Sequence, residues 1–113
     1  MSKSYRDLKV WQQSFILAKE VYKICEKLPV SERFGIASQI QRCAISIPSN
    51  IAEGQQRNGN KEFKQFLAIA RGSAAELSTQ LLLMGEIYGL DTASQVKKVE
   101  DVQKMLYSLQ NKL

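Results

Sequence analysis

The chain has 113 residues, 44% hydrophobic and 24% charged, with a formal net charge of +5. This is the composition of a globular domain with its own core, not of a disordered chain, and its charge permits nucleic-acid contact without demanding it. It contains no histidine, which removes the commonest general base and metal ligand, and no run approaching 18 apolar residues, which argues against a membrane span.

The first predicted helix runs from about Asp7, as N-cap, to Leu28. Leu8, Trp11, Phe15, Ala18, Tyr22 and Cys25 are spaced 3, 4, 3, 4, 3. That is a heptad seam, expected to face the core, and Val21 and Leu28 widen it. Pro29 ends the helix, because a residue before proline is driven out of the α region. This is also the basic segment: residues 1–30 carry six Lys or Arg against three Asp or Glu. Lys9, Lys19, Lys23 and Lys27 lie mostly off the seam. The opening string MSKSYRDLKVWQQ has no apolar h-region, so no signal peptide and a cytoplasmic location are expected. Cys25 and Cys43 have no CxxC or Cys/His spacing and are read as reduced core residues.

The second helix is expected to start at Ser31, with Glu32 in its first turn facing the helix dipole. Ile36, Ile40, Cys43 and Ile47 form one apolar stripe, and Ala37, Ala44 and Ile51 a second. Pro48 lies within it and removes the hydrogen bond to the Ala44 carbonyl, which bends a helix. Two outcomes follow. One bent helix reaches Arg57, or a break is followed by a restart at Ser49 or Asn50, where Asn50 and Glu53 fit a capping box. The stripe stays in phase from Ile47 to Ile51, so the single bent helix is preferred. Ser46, Ser49, Asn50 and Glu53, with Glu76 from the third helix, are read as a structural polar network. In it Asn50 and Glu53 satisfy the backbone that Pro48 leaves open. A binding site at the bend is the other reading. Glu53 also precedes Arg57 by four residues, the favourable order for an ion pair.

The third helix opens after the turn Asn58-Gly59-Asn60. Phe63, Leu67, Ala70, Ala74, Leu77, Leu81, Met84 and Tyr88 form its seam, the cleanest in the chain. Gly72 stands amid small residues, and a helix-interior glycine costs about 1 kcal/mol relative to alanine, so it is expected to answer a close helix approach. Phe66, Ile69, Leu82, Leu83 and Ile87 lie beside or outside the seam, more apolar surface than one bundle face needs, and suggest contacts between copies. Gly89 is the expected C-terminal stop. The fourth helix follows a Thr92/Gln95 capping box and turns Val96, Val99, Val102, Leu106, Leu109 and Leu113 inward.

Connections of two or three residues are expected, and short links make neighbours antiparallel. The fold class is all-α: residues 1–113 form one up-down-up-down four-helix bundle, its second helix bent at Pro48. No phosphate-binding glycine loop, Glu-x-x-His pair or activated serine is present. No catalytic residue, metal ligand or cofactor is assigned, and the protein is not expected to be an enzyme.

Asp7-Leu8-x-Val10-Trp11-Gln12, Gln39-x-x-Arg42, the string Ser46-Ile47-Pro48-Ser49-Asn50-Ile51-Ala52-Glu53-Gly54, Arg57, and Phe66-Leu67-x-x-Ala70-x-Gly72-Ser73-x-x-Glu76-Leu77 resemble the 23S rRNA intervening-sequence protein family. The resemblance covers about residues 5–90. It implies a bacterial four-helix bundle protein that assembles as a homopentamer, related to the accessory protein of diversity-generating retroelements. It also implies nucleic acid and, in that branch, a reverse transcriptase as partners. The leading reading is therefore an oligomeric protein binding structured RNA or DNA through phosphate contacts, with Lys9, Lys19, Lys23, Arg42, Arg57 and Arg71 as candidates. No aromatic-plus-basic platform for stacking bases is expected. The alternative is a scaffold or accessory subunit for another protein such as a reverse transcriptase.

Overall fold

A computed structural model of the chain describes residues 4–113, so the first three residues of the expected domain lie outside the described part. Four helices follow in order: α1 (Lys9–Cys25), α2 (Ile36–Gln55), α3 (Asn60–Tyr88) and α4 (Ala93–Lys112), with 3-10 turns at Tyr5–Asp7 and Val30–Glu32. No strand occurs among the described residues. Each helix packs on its neighbours in sequence, α4 closes back onto α1, and the diagonal pairs do not meet. This is the expected up-down-up-down bundle. It is 47 Å long, a length set by the 29 residues of α3 at 1.5 Å each.

The core is aliphatic. Leu17 and Val21 from α1, Ile40, Ile47 and Ile51 from α2, Leu67, Leu77, Leu81 and Met84 from α3, and Val99 and Leu106 from α4 are all fully enclosed. Each such side chain contributes about 1.5–3 kcal/mol of burial. The α3 seam sits where its spacing places it, with Leu67, Ala70, Ala74, Leu77, Leu81 and Met84 at zero exposure.

In α1 the expectation fails. The residues turned inward are Val10, Ser14, Leu17, Val21, Ile24 and Leu28, a second row of spacing 4, 3, 4, 3, 4. Val21 and Leu28, expected to widen the seam, are buried, but of the seam itself only Cys25 is; Leu8, Trp11 and Ala18 are half-buried, while Phe15 and Tyr22 are 46% and 41% exposed. Ser14 tolerates burial because its hydroxyl donates to the Trp11 carbonyl at 2.9 Å, satisfying the polar group locally.

The helix starts also differ. Asp7 belongs to a 3-10 turn capped by the Ser4 hydroxyl, and α1 begins after Leu8 without a side-chain cap. Ser31 and Glu32 form the second 3-10 turn, and α2 starts only at Ile36. The α1–α2 link is thus residues 26–35, longer than expected, and the links at residues 56–59 and 89–92 are also longer than two or three. Glu32 has another use: it accepts a hydrogen bond from the Tyr88 hydroxyl, tying the long link to the end of α3. Thr92 does not form the predicted box. Its hydroxyl donates instead to the Leu81 carbonyl at 3.1 Å, pinning the start of α4 to α3. Gly89 does stop α3, with φ of 64° in the left-handed region, where glycine has no Cβ penalty.

α2 runs unbroken through Pro48, so the restart at Ser49 or Asn50 does not occur. The glycine that permits close helix packing is Gly54, not Gly72. A Cβ on Gly54 would lie 2.5 Å from Phe66 Cβ, whereas one on Gly72 would meet nothing within 4 Å. Gly72 lies on the solvent face of α3.

Candidate functional site

The outward-facing α1 row builds an aromatic surface groove. Because Leu17 and Val21 take the inward row, the row of Trp11, Phe15, Ala18 and Tyr22 faces outward beside α2. It lines a groove of about 590 Å³ together with Tyr5, Ile45, Pro48, Ser49 and Ala52, and Lys19 and Lys23 complete the wall. Trp11 stacks on Phe15 with centroids 5.0 Å apart and planes at 29°, and Tyr5 meets Trp11 edge-on at 5.2 Å. Edge-to-face and offset stacks are the favoured aromatic geometries, so the three rings form one cluster beside the groove. Aromatic and basic side chains are therefore brought together along one groove, a juxtaposition that the sequence reading did not anticipate. The signal was legible as two rows of equal spacing in residues 8–28, of which one had to face outward.

The six candidate basic residues separate into two groups. Lys9, Lys19, Lys23 and Arg42 are exposed. None of them is in an ion pair among the described residues. Lys9 shares a shallow cleft between α1 and α4 with Lys104 and Lys112, two lysines that sequence reasoning passed over because they lie 95 and 103 residues along the chain from Lys9 and only the fold joins them. Arg57 and Arg71 are engaged within the chain. Arg57 pairs with Glu53 at 2.9 Å and lies over the Phe66 ring at 5.0 Å. Arg71 donates to Gln110 at 2.9 Å and lies over the Tyr107 ring at 4.9 Å. Gln110 in turn donates to the Lys64 carbonyl, so Arg71 is part of the α3–α4 contact.

The residues around Pro48 do not form one network. Ser46 Oγ donates to the Cys43 carbonyl and Asn50 Nδ2 to the Ser46 carbonyl, each at 2.7 Å. These are carbonyls on either side of Ala44 rather than the Ala44 oxygen that Pro48 leaves without its helical donor. Glu53 turns away to Arg57, and Ser49 lines the aromatic groove. Ser46 and Glu76 share a separate polar cleft between α2 and α3 with Gln39, Arg42, Ser73 and Gln80.

The thiols are poor nucleophiles. Burial pushes Cys25 up to about 11. Burial, then the neighbouring Glu76 carboxylate, pushes Cys43 up to about 12, and its Sγ–H donates to the Ser73 carbonyl at 3.0 Å. A nucleophilic cysteine needs the opposite shift. Among the described residues no group of three or more His, Cys, Asp or Glu could hold a metal, and no helix is long and apolar enough to cross a membrane.

On α3, Ile69, Leu82, Leu83 and Ile87 are each at least half exposed. Of the apolar residues noted beside its seam, these four are thus uncovered within one chain, while Phe66 packs against Gly54.

A family model described as 23S rRNA-intervening sequence protein matches residues 6–108. A search of curated proteins finds no match.

Proposed function

The chain belongs to the 23S rRNA-intervening sequence protein family, and from that premise we propose that it is a non-enzymatic, oligomeric protein that binds structured RNA or DNA through its basic surface. The observation that supports this reading is the set of Lys9, Lys19, Lys23 and Arg42, exposed and without acidic partners among the described residues. Unpaired cations on a rigid helical surface release phosphate counterions on binding, which is the main source of sequence-independent affinity. Arg57 and Arg71 contribute less, because each already holds a partner in the chain.

The test is a salt titration against a structured RNA hairpin and a DNA duplex. Four phosphate contacts predict an affinity loss on the order of a hundredfold between 50 and 200 mM salt. Replacing Lys9, Lys19, Lys23 and Arg42 together by glutamine flattens that dependence, while Arg57→Gln leaves it nearly unchanged. No retention of either nucleic acid at about 50 mM salt sinks the reading.

The exposed Ile69, Leu82, Leu83 and Ile87 favour contacts between copies, the homopentamer being the assembly that the family resemblance implies. Native mass tests it: a monomer in dilute solution contradicts it. The same face suits a scaffold or accessory-subunit role for another protein. Co-purification of a polymerase, with no retention of nucleic acid alone, moves the function there.

A further inference from the structure

We propose that the groove between α1 and α2 is a stacking site for single-stranded nucleic acid. This rests on the nucleic-acid reading above and specifies a site for it. Three facts carry it. The groove is lined by a cluster of rings, Tyr5, Trp11 and Phe15, in stacked and edge contact, with Phe15 46% exposed at its outer end and Tyr22, two turns further along α1, 41% exposed. From Trp11 to Tyr22 is about 16 Å along the helix, long enough for more than one base. The wall carries Lys19 and Lys23, one turn apart, and no carboxylate lines the groove.

Each fact selects the occupant. The partly exposed rings of Phe15 and Tyr22 can each take a base on the face left open, and aromatic side chains with a cationic edge are the usual equipment of single-strand binding. The two ammonium groups have no acidic partner among the described residues, so the groove calls for an anionic ligand with flat apolar faces. A duplex hides its base faces inside the stack and cannot use these rings, whereas an unpaired loop or end can splay bases onto them. Stacking reads no base edge, so the site accepts unpaired RNA or DNA with little preference for sequence.

Trp11 is the single tryptophan of the chain and reports on the groove directly. Titration with a hexauridylate, a hexaadenylate and a duplex of the same length is followed by Trp11 emission, with native mass measured alongside. The expected result is saturable quenching by both single strands and none by the duplex. Phe15→Ala and Tyr22→Ala each weaken single-strand binding about tenfold or more and leave duplex affinity, measured by retention, and native mass unchanged. Phe15→Leu, which keeps apolar bulk and loses the flat ring, weakens it like Phe15→Ala. Lys19→Gln and Lys23→Gln each lower the salt slope by about 0.7.

Equal quenching of the wild type and the two alanine variants overturns the proposal. So does duplex retention without any effect of single strands, which leaves the nucleic-acid reading standing. A fall in native mass on Phe15→Ala, rescued by Phe15→Leu, also overturns it and makes the groove a seat for a second copy of this chain. If neither strand form binds at low salt, the broader reading fails as well.

Discussion

α1 and α3 carry apolar residues at the same heptad spacing and place them on opposite sides of the protein surface. In α3 the row from Leu67 to Met84 is sealed inside the bundle. In α1 the equivalent row, Trp11, Phe15 and Tyr22, lines an open groove, and a parallel row of Val10, Leu17, Val21 and Ile24 is sealed instead. Spacing marks a stripe on a helix; it does not mark what lies opposite. α3 offers one continuous stripe that is buried whole, with Ile69, Leu82, Leu83 and Ile87 beside it left exposed. α1 offers two, and the bundle buries the aliphatic one, which interdigitates at close helix separation. The aromatic one is left over. The difference separates core from candidate site within a single helix.

That contrast is open to direct attack. Leu77→Ala in α3 and Leu17→Ala in α1 are each expected to cost about 2–5 kcal/mol, the range for truncating an enclosed aliphatic side chain. Phe15→Ala, although a larger truncation, should cost under about 1 kcal/mol, because its ring is nearly half in solvent and surface substitutions have small effects. Urea unfolding of the three variants measures this. A Phe15→Ala cost matching that of Leu17→Ala would return the aromatic row to the core.

The glycines sharpen the same comparison at a smaller scale. Gly54→Ala drives a methyl against Phe66 and Phe63 at the α2–α3 contact and should destabilise by about 1–3 kcal/mol. Gly72→Ala fills open space and should stabilise the helix by up to about 1 kcal/mol. Thermal unfolding at low protein concentration reads both. A Gly72→Ala variant that becomes less stable only as protein concentration rises would show that another copy packs there.

The last effect concerns pH. Both thiols titrate higher when folded than their ordinary value of 9.0, so the fold favours their neutral form. Their contribution is fully present below about pH 9 and is lost as pH rises toward about 11 for Cys25 and about 12 for Cys43, because the unfolded chain then gains by releasing its protons. Melting temperature should fall from pH 8 to pH 10.5, and a Cys25→Ala/Cys43→Ala variant should fall less steeply. Equal slopes would show that the thiols are not protected in the core.

Residue pattern alone was enough for the four helices, the inward rows of α2, α3 and α4, the stop at Gly89 and the unbroken phase of α2 across Pro48. All of these are local: 3.6-residue periodicity, a left-handed glycine and an in-phase stripe act within a few turns. The helix starts were less legible, since Asp7, Ser31 and Thr92 are capping residue types drawn into other bonds, Thr92 by the Leu81 carbonyl eleven residues away. Which α1 row faces inward, which glycine is crowded at the α2–α3 contact and which cations stay free follow from the packing of the helices. Each depends on what the other helices bring to it. Phe66 fills the space beside Gly54, Gln110 and Tyr107 occupy Arg71, and no described acidic side chain reaches Lys19 or Lys23. Side-chain identity and spacing cannot encode those neighbours, because contacts between helices join residues far apart in the chain.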